Sequence, residues 1–252
     1  MLIEASSQEA CPNCGSWQAI NFNFCGQCGQ RNPSLLKKAV KNDQKYRRHL
    51  RYLSVYAILS IVLLLVAAFT EDSLKILIIW TVTFAIIDLL FAYLQPAVWT
   101  LFFSRKIELK PLILIVVIGV VTGFLVFLSM GSLNLMLFEE SYTSLPLFED
   151  TDNPLLLHLL IIAVCPAIFE ELSFRGFVFT NLDQIAGRKS AIWGSAFLFG
   201  LVHFSLLSLV WLVPFGLVLA YFRSRYSTLV YGIVGHFTHN ATSILLEYYG
   251  IY

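Results

Sequence analysis

The apolar spans hold a short inventory of polar residues that could do chemistry: Asp88, Glu170, Glu171, Arg175, Glu247, His158, His203, His236, His239 and Asn240. All lie in apolar stretches, where an ionisable group costs at least about 2.5 kcal/mol unless it is paired or hydrated. Carboxylates and imidazoles can move protons, whereas a carboxamide can only donate or accept hydrogen bonds. Spacing sorts the group. Glu171 and Arg175 are four apart, in the acid-before-base order that pairs well on one helix face. Glu170 is rotated about 100° from Glu171 and is left for another partner. Phe199 and His203, and His236 and Asn240, are also four apart, so each pair projects to one side of its helix. A second chemical set lies near the N-terminus, where Cys11-x-x-Cys14 and Cys25-x-x-Cys28 offer four thiolates for a tetrahedral zinc.

The elements that must carry the first set are membrane helices. The chain is 58% hydrophobic and 13% charged, against about 25% charged in a soluble domain. It reads as an all-α polytopic membrane protein of about seven transmembrane helices. A window of about 20 residues per span places them near 52–70, 74–95 with a possible continuation to 103, 111–137, 154–180, 190–207, 209–222 and 228–248. The sixth is short. No cleavable signal is visible in the polar first 36 residues. Three parts follow: a ribbon over 1–30, a basic linker over 31–51 and a transmembrane domain over 52–252, with a motif-bearing core at about 110–248. No internal repeat or low-complexity segment is visible.

Charge orients the spans. Lys37, Lys38, Lys41, Lys45, Arg47, Arg48 and Arg51 abut the first span, which marks the cytoplasmic side and suits anionic headgroups. This position accounts for the charges, so no nucleic-acid partner is expected. Alternate loops carry Arg105, Lys106 and Lys110, then Arg188 and Lys189, then Arg223 and Arg225. The intervening loops carry Glu71 and Asp72, then Glu139, Glu140, Glu149, Asp150 and Asp152. The expectation is a multi-pass cell-membrane protein with a cytoplasmic N-terminus and an external C-terminus. The ribbon then faces reducing cytoplasm, which favours zinc over two disulfides. Such a closed four-cysteine site is an interaction or anchoring module rather than a catalyst, and it implies a cytoplasmic protein partner.

The set Glu170-Glu171-x-x-x-Arg175, Phe199-x-x-x-His203 and His236-x-x-x-Asn240 resembles the three-motif signature of the CPBP family, the CAAX-protease and bacteriocin-processing (Abi) intramembrane peptidases. The resemblance implies an endopeptidase acting on membrane-associated proteins or peptides, prenylated ones among them. Carried over by position, it implies that Glu170 and His203 hold and activate a water. It also implies that His236 and Asn240 stabilise the oxyanion, and that Glu171 and Arg175 orient the site. The ribbon resembles N-terminal additions seen in some bacterial members.

Other readings stand beside this one. Glu170, His203 and His236 are also suitable metal ligands, but the HExxH pattern of zinc peptidases is absent, and a glutamate acting on water directly is favoured. A transporter with ionisable residues along a pathway, or a catalytically silent scaffold using the ribbon, are the alternatives from other classes. His239 could replace His236, although only His236 has helical spacing to Asn240. Asp88 and His158 are assigned to helix interfaces, and Cys165 to packing. Trp80, Trp99, Trp193 and Trp211 are assigned to packing or interfacial anchoring, and Gly194, Gly200 and Gly235 to close helix approach.

Overall fold

The computed structural model describes residues 8–19, 24–30, 32–71, 73–103, 106–138, 143–203 and 205–250. Arg105, Asp72, Glu139 and Glu140 lie outside them. The chain divides into two compact units, Met1–Arg51 and Tyr52–Tyr252.

In the smaller unit, β1 (Gln8–Ala10) pairs antiparallel with β2 (Trp17–Ala19), with Glu9 opposite Gln18. The turns after Cys11 and Cys25 are built alike. Gly15 N–H donates to Cys11 O at 2.8 Å, and Gly29 N–H donates to Cys25 O at 2.9 Å. Both glycines have φ near +70° (71° and 70°), a conformation that side chains with a Cβ seldom adopt. Helix α1 (Pro33–Ala67) begins in this unit and, from Tyr52, belongs to the larger one. The segment read as a linker over 31–51 is therefore largely helix.

The larger unit is all-α. After α1 come α2 (Leu74–Tyr93), the short α3 (Thr100–Phe103) and α4 (Leu109–Phe138). Ser73 caps α2 by accepting from Ile76 N–H at 3.4 Å. The second span does not continue to 103. It stops at Tyr93, and a 3-10 turn at Pro96–Val98 intervenes because Pro96 cannot extend the helix.

A long rod follows, starting at Pro154 in the first helical turn. It is built from α5 (Pro154–His158), a π-helical segment (Leu159–Val164), α6 (Cys165–Glu170), a second π-helical segment (Glu171–Val178) and α7 (Phe179–Leu201). Gly187, at φ 83° and ψ 171°, breaks α7 into two. The chain closes with α8 (Leu209–Tyr226) and α9 (Val230–Tyr248).

Helices thus occupy all seven expected regions. Among the described residues, four are long and apolar enough to cross a membrane: Asn42–Ala67, Leu74–Tyr93, Leu109–Leu133 and the broken rod Pro154–Leu201. The fifth expected span, 190–207, is shorter than anticipated. Its helix ends at Leu201, and His203 lies in the following turn, where Ser205 Oγ accepts from Ser208 N–H at 3.3 Å.

The core is aromatic, with Phe174, Phe177, Phe199, Phe215, Phe222 and Tyr231 among its buried members. Helices α4 and α9 approach closely because Gly119 and Gly123 face α9. A Cβ on Gly119 would lie 2.8 Å from Gly235 O and from Thr238 Cβ. This is the small-residue packing expected of membrane helices.

The loops sort by charge. At one end Arg188 donates to Ser224 O at 3.2 Å and Thr228 to Leu101 O at 2.8 Å, beside the basic Arg223 and Arg225. At the other, Glu247 accepts from Leu145 N–H at 2.8 Å and bonds Thr143, holding the start of the acidic 143–153 segment. His158 joins that end, fully buried, stacked on Phe148 at 4.4 Å and 2.9 Å from Ser144 Oγ.

Candidate active site

The second π-helical segment positions the first carboxylates. A π turn is wider than an α turn and often marks a functional site. Every residue from Glu171 to Val178 is buried. Within it Arg175 Nη1 donates to Glu171 Oε1 at 2.6 Å, with both side chains fully buried. Burying two charges is repaid only when the remaining donors and lone pairs also find partners. Arg175 Nη2 donates to Gly216 O at 3.1 Å and the guanidinium lies 4.4 Å over the Phe199 ring, while Arg175 Nε and Glu171 Oε2 have no hydrogen-bond partner among the described residues. Arg223 in turn donates to Arg175 O at 3.0 Å.

Helix α9 brings the next group. His236 is buried, with Nδ1 3.4 Å from Glu171 Oε1 and Nε2 3.9 Å from Glu170 Oε2. It therefore stands between the two glutamates. Room for this comes from Gly232, one turn earlier on α9, where any Cβ would collide with the Glu171 carboxylate. The ring is walled by Phe199 and Phe215, both edge-on at 5.6 and 5.9 Å. Glu171, expected to pair with Arg175 alone, thus also faces the histidine. Gly232 was not singled out from the sequence. Its spacing of four from His236 is the signal that could have found it.

Asn240 Nδ2 donates to Ile162 O at 2.9 Å. That carbonyl belongs to the first π-helical segment and lies four residues before Pro166, which has no N–H to give it.

His203 completes the set. Its Nδ1 is 2.8 Å from Phe199 O. A carbonyl only accepts, so Nδ1 carries the proton, and in the neutral ring Nε2 presents the lone pair. His203 and Glu170 line one cavity of about 290 Å³ between α1, α2 and the rod, with an otherwise largely apolar wall that includes Trp80, Phe84 and Phe169. Glu170 Oε2 is buried and has no hydrogen-bond partner among the described residues. His203 also lines a second cavity of about 140 Å³ with Trp211, Phe215 and His239. His239 itself is bound to Thr122 Oγ1 at 2.9 Å and stacked on Phe215 at 4.3 Å.

The structure thus joins Arg175, Glu171, His236 and Glu170 in one chain of contacts and sets Glu170 and His203 on one cavity. Asn240 is engaged by backbone. Residues 152–242 match the model of one protein family. It is Rce1-like, described as type II CAAX prenyl endopeptidase Rce1-like. The matched stretch contains all six motif residues. No curated protein and no solved structure matches the chain.

The four N-terminal cysteines form a separate centre. Their sulfurs all lie within 4.8 Å of one another. Cys11 and Cys28 are 3.8 Å apart and Cys14 and Cys25 3.6 Å. A tetrahedron with metal–sulfur bonds of ~2.3 Å has edges of about 3.8 Å, so the donors fit a metal ion. The Ser16 hydroxyl, 3.1 Å from Cys25 Sγ, leads the groups that pull the Cys25 thiol down to about 6, toward the thiolate a metal needs.

Proposed function

We propose that this protein hydrolyses peptide bonds of membrane-associated proteins, with a water held by Glu170 and His203 as the nucleophile. The observation that carries the reading is the shared cavity. Glu170 Oε2 lies there without a hydrogen-bond partner among the described residues, and the tautomer of His203 leaves Nε2 as an acceptor. Glu170 takes the proton as the water attacks the scissile carbonyl, and the same proton is then available to the leaving amine. His236 and Asn240 stabilise the oxyanion, with Asn240 exchanging Ile162 O for the substrate oxygen. Glu171 and Arg175 hold His236 in place. Substrates carry a lipid-anchored segment, prenylated ones among them, that the apolar part of the cavity receives.

The reading extends to the rest of the chain. Zinc occupies the four-cysteine site, and the ribbon binds a cytoplasmic protein. The N-terminus is cytoplasmic and the C-terminus external, in keeping with the basic and acidic ends of the helical unit.

The test is cleavage of a membrane-anchored peptide library by the purified protein in detergent. Glu170→Ala and His203→Ala should each lower kcat by at least about 10³-fold. Cleavage that survives both changes would remove these residues from the reaction. Chelation of a Cys11→Ser variant, whose ribbon no longer holds zinc, decides between direct action on water and a catalytic metal. Activity that persists supports the former.

A further inference from the structure

The cavity that Glu170 lines has a second polar feature, to which two helices outside the three motifs contribute. Asp88, on α2, is 5% exposed. It accepts from the Tyr56 hydroxyl, on α1, at 2.9 Å. The same hydroxyl bonds Ser173, in the second π-helical segment. All three residues line the cavity together with Glu170 and His203. The Tyr56 ring is fixed as well, packing on Phe91 at 5.1 Å and on Phe177 at 5.2 Å.

Two physical arguments make this more than packing. A hydroxyl and a carboxyl at membrane depth are expensive, and an apolar pair of similar shape would fill the space without that cost. Second, α1 is thinly packed in the larger unit: only 6% of its most apolar window is buried, and beside Tyr56 it sets Tyr52 and Leu53 against the core. Tyr56 and Ser60 are its buried polar residues there, and both line the cavity. The hydroxyl of Tyr56 therefore joins three elements, α1, α2 and the π-helical turn next to Glu170.

We propose that Tyr56, Asp88 and Ser173 are positioning residues, a hydrogen-bonded clasp that fixes α1 and α2 as the wall of the catalytic cavity and holds the π-helical turn beside Glu170 in register. The clasp touches neither the water nor the scissile bond. It acts by keeping the space in which substrate lies beside Glu170 and His203. This rests on the reading of that cavity as the site of hydrolysis.

The cavity contains its own reporter, because Cys165 lines it. The test uses the full chain in detergent and follows alkylation of Cys165 by a small maleimide, read peptide by peptide by mass spectrometry so that ribbon cysteines do not interfere. Cleavage is measured in parallel. Tyr56→Phe and Asp88→Leu break the clasp. They are expected to speed Cys165 alkylation at least fivefold and to lower kcat/KM at least tenfold, with the larger share in KM. Asp88→Asn keeps an oxygen that accepts from Tyr56, and it should restore both readouts to within threefold of wild type. Ser173→Ala removes one hydroxyl only and should fall between, which guards against misfolding in the larger changes.

Tyr56→Phe and Asp88→Leu proteins with wild-type alkylation overturn the clasp, as does faster alkylation with unchanged kcat/KM. If wild type cleaves nothing, the hydrolytic reading falls and the alkylation series alone decides the clasp. If Glu170→Ala abolishes cleavage while the clasp variants match wild type in both readouts, the hydrolytic reading stands and the clasp falls.

Discussion

Asn240 donates its side-chain amide to the carbonyl of Ile162, the acceptor that Pro166 cannot serve. One side chain thus stitches α9 to the rod. Asn240→Ala removes that hydrogen bond and should cost about 1 kcal/mol of stability. Removing an oxyanion donor should lower kcat by about 10²–10³-fold. A thermal melt in detergent and single-turnover cleavage measure the two effects separately. A loss of stability with unchanged kcat would confine Asn240 to the backbone.

Arg175 and Glu171 are both fully buried, so removing one strands the other. Arg175→Met should destabilise by about 3–5 kcal/mol, and the double change Glu171→Leu with Arg175→Met should recover much of that. The double variant should nevertheless remain inactive, because His236 Nδ1 loses the oxygen it faces. Recovery of stability without recovery of cleavage is the expected pattern in paired melts and assays.

Gly232 and Gly194 provide a matched pair. A Cβ at Gly232 meets the Glu171 carboxylate, while at Gly194 it meets the flexible end of Leu182 at 2.8 Å. Gly232→Ala should cost about 1–3 kcal/mol and abolish cleavage by displacing Glu171 and His236. Gly194→Ala should be tolerated once Leu182 turns. Expression, melting temperature and activity of the two proteins test this directly.

The ribbon should bind one zinc per chain and lose it on Cys11→Ser. Binding needs thiolates, so occupancy at fixed free zinc should fall as pH drops from 7 toward 5. The lowered thiol of Cys25 keeps its thiolate to lower pH. Ser16→Ala removes the leading cause, raises that thiol and should move zinc release to higher pH. A colorimetric zinc-release titration shows the shift, and an unmoved curve would exclude Ser16 from tuning the site.

Much of this architecture is legible in the sequence. Apolar run lengths mark the helices, and the i, i+4 spacing of Glu171 and Arg175 announces their pair, because both properties are local. Proximity between helices is not local. Nothing near His236 announces that it faces both glutamates, or near Asp88 that it meets Tyr56 and Ser173. His203 has helical spacing from Phe199, yet it falls beyond the end of α7, where serine hydroxyls supply the turn. The π-helical segments are equally hidden. Their wide turns depend on what packs against them and not on residue propensity.

The π-helical segment Glu171–Val178 sets a limit on how this chain can vary. A π turn is in effect an α-helix holding one surplus residue, so shortening it by one would close the turn to α geometry, leaving the helix beyond it nearly in place while changing which residues face each other inside the turn. Glu171 and Arg175, both inside the turn, would lose their matched spacing, while Asn181, beyond it, would keep Gln95. Related chains should therefore differ freely in length across the 143–153 segment and keep the count between Glu170 and Arg175 fixed. The site is guarded by residue number as much as by residue type.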